Sequence, residues 1–336
     1  MTRETPSGVA VLLTEATRSM VLTSETERRL DALGNVRWAD GSPDAWDLPE
    51  LLDGVVACLT GWGTPRLGDD ILTKCPDLAL VAHSAGSIRN LLPQEAVGTR
   101  VRVCQAAALI ADSVAEFVIA QILAWLRELH LLDAGLREGA GWSDLRHRHP
   151  GRLLGAQTVG VVGASRTGRA VIRLLKAFGS SVLVSDPLLD ADEASTLGVT
   201  QADLDTLLAR SDIVTLHVPL LPSTRNLLGA RELGCLRDGA LLVNSARGGL
   251  IDPAALQAEL RTGRIRAALD VFPAEPLEVD SEWREMPHTI RSPHSAGHTL
   301  DSHRRQGAAM VSEIERFLRK EPLHYAVVAG QVDNLA

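Results

Sequence analysis

The chain has 336 residues and a formal net charge of −8. The length fits two domains at roughly 150 residues each, and the negative charge argues against nucleic acid or an anionic membrane surface as a partner. We expect no signal peptide, because residues 1–8 are not followed by an apolar core, and no membrane span, because the apolar stretch 117–126 is shorter than the ~20 residues required. Four scattered cysteines without a CxxC pair favour reduced thiols in the cytoplasm over disulfides or a metal site.

The first third of the chain alternates predicted strands with predicted helices. The apolar runs are 9–13, 55–59 and 78–82, and the helical segments are 24–33, opened by a Ser24–Glu27 capping box, and 69–74. Alternation of this kind predicts an α/β fold with a parallel sheet covered by helices on both faces.

The pattern changes near residue 105. A second capping box, Ser113–Glu116, predicts a helix to about Leu132, and a loop rich in glycine and histidine follows over 139–151. The final helix, Thr299 to Lys320, has apolar residues at helical spacing and is expected to pack on the first unit. We therefore predict one domain from residues 1–105 plus 300–336 and a second from residues 106–299.

A glycine-rich turn stands between a predicted strand at 158–162 and a helix that ends at Phe178. Gly163 and Gly168 occupy the first and third glycine positions of a dinucleotide-binding motif. The next strand ends in Asp186, 186 − 163 = 23 residues after the first glycine. A carboxylate there accepts hydrogen bonds from the ribose hydroxyls and repels a 2′-phosphate, so NAD is favoured over NADP. The alternative for Asp186 is a turn residue before a proline.

The motif departs from the usual pattern at its second glycine, where Ser165 stands. Its Cβ and hydroxyl would lie where the backbone normally approaches phosphate. Serine is small and can donate to a phosphate oxygen, so we expect the cofactor to bind, with an affinity that the sequence does not fix.

Three chemically suggestive residues follow three further predicted strands. Arg247, Glu275 and His294 come after short apolar runs, and the carboxyl ends of parallel strands meet at the ligand-binding edge of a sheet. A guanidinium can grip the carboxylate and carbonyl of a 2-oxo acid in a bidentate manner. An imidazole can exchange a proton near neutral pH, and a carboxylate hydrogen-bonded to it would orient the ring and favour its protonated form. Each has a plainer alternative: a surface cation, a solvated loop carboxylate and a packed histidine.

These residues resemble the D-isomer-specific 2-hydroxyacid dehydrogenase family. The resemblance covers essentially the whole chain and is carried, in order, by the segments 113–116, 163–168, 217–220, 244–248, 270–276 and 293–297. It implies two doubly wound parallel-sheet domains, a Rossmann NAD-binding domain inserted into a flavodoxin-like substrate domain. It also implies a homodimer formed through the NAD-binding domains, with the helix after Ser113 at the hinge and interface.

The resemblance also implies site residues. Arg247, Glu275 and His294 would be catalytic, and Asp270 would hold the nicotinamide carboxamide. The residues expected to contact NAD are Gly163, Ser165, Arg166, Thr167, Gly168, Asp186, His217, Pro219, Thr224, Ser245, Ala246, Asp270, Ala296 and Gly297. We expect His217 to pack near the cofactor rather than to react, and His298 and His303 to be a helix-start and a surface residue.

Substrate contacts are expected in the first domain as well. Ala85, Gly86 and Ser87 resemble the small-residue turn whose backbone amides accept the substrate carboxylate, and an ordinary turn is the alternative. Trp62 stands between two glycines and is predicted either to wall the substrate side-chain pocket or to be a core or surface residue. Arg247 is counted as a substrate contact too.

The sequence thus predicts a cytoplasmic NAD-dependent oxidoreductase that interconverts a 2-oxo acid and a D-2-hydroxy acid, with no metal. Two alternatives remain open. One is an NAD(H)-responsive binding or corepressor-like module on the same fold. The other is a dehydrogenase of a phosphorylated hydroxyacid, for which more basic residues near the substrate loops would be expected.

Overall fold

The computed structural model describes residues 8–328. The chain divides into two compact units: unit 1 runs to Ile110 and resumes at His298, and unit 2 is Ala111–Gly297. Unit 2 is therefore inserted in the sequence of unit 1.

The strands are short and, within each sheet, parallel. In chain order they are β1 Gly8–Leu12, β2 Val36–Trp38, β3 Val55–Thr60, β4 Leu80–His83, β5 Arg102–Gln105, β6 Thr158–Val162, β7 Ser181–Ser185, β8 Thr200–Gln201, β9 Ile213–Leu216, β10 Leu241–Asn244, β11 Arg266–Leu269 and β12 Thr289–Arg291.

Thirteen α-helices are assigned between residues 8 and 328. They are α1 Glu15–Val21, α2 Ser24–Asp31, α3 Leu48–Leu52, α4 Asp69–Lys74, α5 Ala107–Leu126, α6 Leu129–Arg137, α7 Trp142–Arg148, α8 Arg166–Ala177, α9 Ala191–Leu197, α10 Leu204–Arg210, α11 Ala230–Cys235, α12 Pro253–Thr262 and α13 Leu300–Leu318.

Unit 1 contains a five-stranded sheet in the order β2-β1-β3-β4-β5. This is the flavodoxin-like order. One apolar cluster covers each face, and the helix α13 contributes Met310, Val311 and Ile314 to one of them. The final helix therefore packs on unit 1, as the spacing of its apolar residues predicts.

Unit 2 contains a seven-stranded sheet in the order β12-β11-β10-β9-β6-β7-β8. The chain runs outward in one direction from β6 to β8 and then returns to β9 on the other side of β6. This reversal is the topological switch point of a Rossmann fold, where ligands bind beyond the carboxyl ends of the strands. The predicted fold class, two doubly wound parallel sheets, is confirmed.

The predicted helix after Ser113 is wrong in its boundaries. Helix α5 begins at Ala107, so Ser113 lies inside it and its hydroxyl donates to the carbonyl of Ala296 at 3.1 Å rather than capping a helix end. The helix stops at Leu126, and Glu128, with φ of 50°, separates it from α6. Alanine and leucine before Ser113 are strong helix formers, and they extend the helix past the apparent cap.

Two smaller predictions also need correction. The N-cap of α2 is Thr23, not Ser24, and the capping box is formed by Thr23 and Thr26. The segment 139–151 is not all loop, because α7 lies within it.

Helix α5 is long and apolar enough to cross a membrane by length and composition alone. In unit 2 its residues Ala115, Val118, Ile122 and Trp125 are buried in a core cluster with β6, β7 and α8. Packing against a sheet thus accounts for its apolar face.

Candidate active site

The three predicted catalytic residues follow three neighbouring strands of unit 2. Strands β10, β11 and β12 are adjacent, and their last residues are aligned in register. Arg247 follows the first strand, Glu275 the second and His294 the third. The sheet therefore brings the three loops to one edge.

The Arg247 loop packs closely against the loop that follows β11. A Cβ on Gly248 would collide with the carbonyl group of Phe272, so only glycine permits this approach. Asn244 fixes the turn: its side-chain amide donates to the carbonyl of Arg247 at 2.9 Å, and its Oδ1 accepts from the Ala246 amide at 3.1 Å. Arg247 is half-buried, and one guanidinium nitrogen donates to the Ala246 carbonyl at 2.6 Å.

His294 and Glu275 form a hydrogen-bonded pair. Nδ1 of the imidazole lies 2.6 Å from Oε2 of the carboxylate, while Oε1 accepts from the Phe272 amide at 2.8 Å. The His294 side chain is 49% exposed and that of Glu275 33% exposed. Because Nδ1 is engaged by a carboxylate that is itself fixed, Nε2 is the nitrogen left for proton exchange.

Asp270 holds the loop that carries His294. This carboxylate is fully buried, and it accepts from the Ser292 hydroxyl at 2.6 Å and from the amides of Ser295 and Ala296 at 2.8 and 2.9 Å. Its backbone carbonyl also accepts from the His294 amide at 2.8 Å. An ionised carboxylate has about four lone-pair sites, so one remains for a further donor.

The backbone of His294 adopts φ of 52°, the left-handed region that side chains rarely enter. Such a conformation costs on the order of 1 kcal/mol or more and persists where surrounding contacts fix it, often at active sites. The hydrogen bonds that Asp270 accepts from this loop supply that fixation. The sequence pattern held no signal for this role, since the partners lie more than 20 residues away.

The glycine turn has the shape of a dinucleotide cradle. Gly163 adopts φ of 96°, and a Cβ there would lie 2.7 Å from Val218 Cγ1 and 2.9 Å from the His217 carbonyl. A Cβ on Gly168 would collide with the Gly163 carbonyl. The first and third glycines are therefore required by the fold, and the turn leads directly into the N-terminus of the 12-residue helix α8.

Ser165 causes no backbone strain, because its φ is −61°. Its hydroxyl caps α8 by accepting from the Gly168 amide at 3.3 Å. Arg166 is exposed and Thr167 is half-buried in the first turn of that helix.

Asp186 is bound to the glycine turn. Oδ2 accepts from the Ala164 amide at 2.6 Å and Oδ1 from the Leu188 amide at 2.8 Å. Each oxygen retains a lone pair for a hydroxyl donor. The half-buried carboxylate therefore fits the ribose role predicted for it.

The other residues predicted to contact NAD follow β9, β10 and β12 at the same edge. Pro219 and Thr224 belong to one loop, in which the Thr224 hydroxyl donates to the Pro219 carbonyl at 2.6 Å. Ser245 is buried, with its hydroxyl 3.3 Å from Oε1 of Gln121. Ala246, Ala296 and Gly297 complete this group.

The predicted substrate residues of unit 1 also lie at strand ends. Strands β3 and β4 are neighbours, with Thr60 aligned to His83. Trp62 follows β3 and is 39% exposed, whereas Ala85, Gly86 and Ser87 follow β4.

Two histidines are buried and uncharged at neutral pH. Burial lowers the pKa of His217 to about 3, and its Nε2 lies 2.9 Å from the Thr215 hydroxyl. Burial likewise lowers the pKa of His83 to about 4, opposed in part by a hydrogen bond with the Ser87 backbone. His217 therefore packs rather than reacts, as predicted.

Because His83 and His217 are buried with lowered pKa values, we expect the free energy of unfolding to fall on acidification. The unfolded chain binds protons at both residues from about pH 6.5 downward while the folded chain does not, so the free energy of unfolding falls as pH decreases from 6.5 toward 4. Each should contribute about 2 kcal/mol between pH 6.5 and pH 5. Urea unfolding of His83→Gln and His217→Gln should show a smaller pH dependence than the parent. Substitution of the exposed His147 should leave the dependence unchanged; an equal effect there would contradict the assignment.

His303 contradicts its prediction as a surface residue. It is 4% exposed, and its ring contacts those of Trp62 and His298 edge-on. The burial comes from contacts distant in sequence, which the local pattern does not reveal.

Within residues 8–328, no group of three or more His, Cys, Asp or Glu side chains could hold a metal ion.

Comparison with known proteins identifies this arrangement. Residues 119–296 match the model of the D-isomer specific 2-hydroxyacid dehydrogenase, NAD binding domain. The chain belongs to the D-isomer specific 2-hydroxyacid dehydrogenase family. The matched segment lies within unit 2 and includes the glycine turn, Arg247, Glu275 and His294.

Relatives extend the similarity into unit 1. The D-3-phosphoglycerate dehydrogenase of Mycobacterium tuberculosis is 35% identical over 308 residues, which are 90% of this chain and 57% of that protein. The chain thus spans little more than half the length of such relatives. The hydroxypyruvate reductase of Thermotoga maritima is 33% identical over 248 residues, 73% of this chain and 79% of that protein. A Thermus thermophilus protein of known structure superimposes on this chain with a TM-score of 0.78 at 26% identity. The superposition covers 96% of this chain and all of the Thermus thermophilus chain.

Proposed function

We propose that this protein is an NAD-dependent oxidoreductase that interconverts a 2-oxo acid and a D-2-hydroxy acid. The observation that carries the proposal is the His294–Glu275 pair, 2.6 Å apart, on the sheet edge that also bears Arg247 and the glycine turn. Family membership and the names of the relatives support it.

In the proposed mechanism Arg247 binds the substrate carboxylate and carbonyl through its planar guanidinium and polarises the carbonyl. Nε2 of His294 gives a proton to the carbonyl oxygen in reduction and takes it from the hydroxyl in oxidation. Glu275 holds the imidazole through Nδ1 and orients the ring. The nicotinamide, when bound, supplies or accepts the hydride.

The cofactor contacts are proposed on the same basis. The amides of the glycine turn and of Arg166 and Thr167 would hold the pyrophosphate, and Asp186 the adenosine ribose. Asp270, with its remaining lone pair, would accept from the carboxamide. The cradle that only glycine permits at residues 163 and 168 supports this assignment.

In unit 1, we assign the substrate carboxylate to the backbone amides of Ala85, Gly86 and Ser87, and a substrate wall to Trp62. The placement of both loops at the carboxyl ends of neighbouring strands supports this assignment.

The carboxylate of Asp186 should make the enzyme prefer NADH to NADPH. Asp186→Ala should raise the KM for NADH by about 10-fold, since it removes hydrogen bonds to a charged group worth ~1.5–3 kcal/mol. Asp186→Asn keeps an acceptor but removes the charge, so it should improve the use of NADPH while impairing NADH less. Steady-state kinetics with both cofactors tests this; equal use of both by the parent protein would contradict it.

A spectrophotometric screen of NADH oxidation tests the function itself. Glyoxylate, pyruvate, hydroxypyruvate and bulkier 2-oxo acids should include at least one efficient substrate. NADH binding without turnover of any acid would instead favour the NAD(H)-responsive binding module.

We also propose a homodimer formed through unit 2, in the cytoplasm. Helix α6 has no buried residue, and large apolar side chains are exposed along this segment: Leu129, Leu131, Leu136, Trp142 and Leu153. Apolar surface of this kind marks protein interfaces. The four cysteines are free, which suits a reducing compartment. Light scattering of the purified protein measures the oligomeric state.

A further inference from the structure

Two loops of unit 1 are tied together at the ends of β3 and β4. The Ser84 hydroxyl donates to the Thr60 carbonyl at 2.9 Å, and the Thr60 hydroxyl lies 2.9 Å from Nδ1 of His83. A Cβ on Gly61 would lie only 2.8 Å from Ser84 Oγ, so the loop that carries Trp62 rests directly against the residue preceding Ala85. The loop that carries Trp62 is therefore held against the residue that precedes the turn assigned to the substrate carboxylate.

The Trp62 side chain is part of a cluster of three rings. Its ring centroid lies 5.2 Å from that of His303, which lies 4.6 Å from that of His298, and both contacts are edge-to-face. The Trp62 carbonyl accepts from the Thr17 hydroxyl at 2.8 Å, which fixes the loop on α1. These residues, Trp62, His298 and His303, are called the ring cluster below.

A positive charge is disfavoured at the centre of the ring cluster. Burial, and to a smaller extent the neighbouring His298, lower the pKa of His303. The imidazole of His83, beneath the two loops, is also neutral. A partly exposed indole backed by a neutral ring offers an apolar surface rather than a cationic one.

We propose that the substrate is a 2-oxo acid with an uncharged, apolar side chain, aromatic or branched aliphatic, which packs on Trp62 of the ring cluster. This inference rests on the proposed function. It separates the protein from the relatives named D-3-phosphoglycerate dehydrogenases, whose names specify a phosphorylated substrate.

The test compares kcat/KM for five acids with the full-length protein and NADH. Phenylpyruvate and 4-methyl-2-oxopentanoate should exceed 3-phosphohydroxypyruvate and 2-oxoglutarate by at least ~10-fold, and glyoxylate, which lacks a side chain, serves as reference. A preference for either of the two anionic acids would overturn the proposal.

Substitution of Trp62 tests whether this side chain causes the preference for apolar acids. Trp62→Ala should lower kcat/KM for the two apolar acids by at least ~10-fold and for glyoxylate by less than ~3-fold, since only the former lose packing. Trp62→Phe should retain most of the preference. Trp46→Ala is a matched control, because Trp46 is a half-buried tryptophan of unit 1 whose indole donates to the backbone carbonyl of Asp40. A uniform loss for all acids in Trp62→Ala would refute the specificity role.

Failure of the proposed function has a different signature. If no acid were reduced, calorimetric titration with NAD⁺ present would still compare the binding of phenylpyruvate and 3-phosphohydroxypyruvate. Tighter binding of phenylpyruvate that is lost in Trp62→Ala would support the ring cluster. Tighter binding of the phosphorylated acid, or binding of neither, would overturn it.

Discussion

His294→Ala should lower kcat by at least ~1000-fold and leave the affinity for NADH within about 2-fold. The imidazole is the group placed to exchange the proton, and its Nδ1 is already engaged by Glu275 at 2.6 Å. In the loop after β12, the residues predicted to contact the cofactor are Ala296 and Gly297, which follow His294. NADH binding should therefore survive the substitution. Single-turnover absorbance at 340 nm and NADH fluorescence titration measure the two quantities.

The chain offers a close control for this substitution. His288 also has positive φ and is exposed, but it precedes β12 while His294 follows it. His288→Ala should retain turnover near that of the parent. Loss of NADH binding in His294→Ala, with normal turnover per bound complex, would disprove its role as acid and base.

The second large effect is expected at Arg247. Arg247→Lys should lower kcat/KM by about 100-fold or more, because a point charge cannot replace a bidentate fork to carboxylate and carbonyl. Asn244 and Gly248 fix the backbone on either side, so the main chain cannot shift to compensate for the shorter lysine side chain.

Arg210→Lys, at the exposed end of α10, should change neither kinetic constant. Steady-state kinetics with NADH, using pyruvate and one bulkier 2-oxo acid as substrates, measures kcat and KM for both variants. Efficiency close to that of the parent in Arg247→Lys would remove Arg247 from the mechanism.

The fold class was predictable because it follows from local patterns in the amino-acid sequence. Short apolar runs separated by helical segments require a parallel sheet, and the strand–glycine turn–helix unit at 158–178 agrees with the structure almost residue by residue. Helix ends were less predictable. Ser113 resembles a cap, but the helix-forming residues before it and its contact with Ala296 place it inside α5.

The residues of the candidate site were predictable from the sequence, but the contacts that hold them in place were not. Arg247, Glu275 and His294 each follow an apolar run, and strands of a parallel sheet end at one edge. The support around them was not foreseen: Asp270 accepts three hydrogen bonds from residues 292–296, and Phe272 holds Glu275 through its amide.

The amino-acid sequence by itself determined the two parallel sheets, the glycine cradle and the chemical identity of the candidate catalytic groups, because these depend on residue type and short-range spacing. Only the tertiary structure decided that Nδ1 of His294 meets Glu275, that His294 adopts a left-handed backbone, and that His83 and His303 are buried. Those properties arise from contacts between residues distant in sequence, where strand order and burial set distances and pKa values that no local pattern encodes.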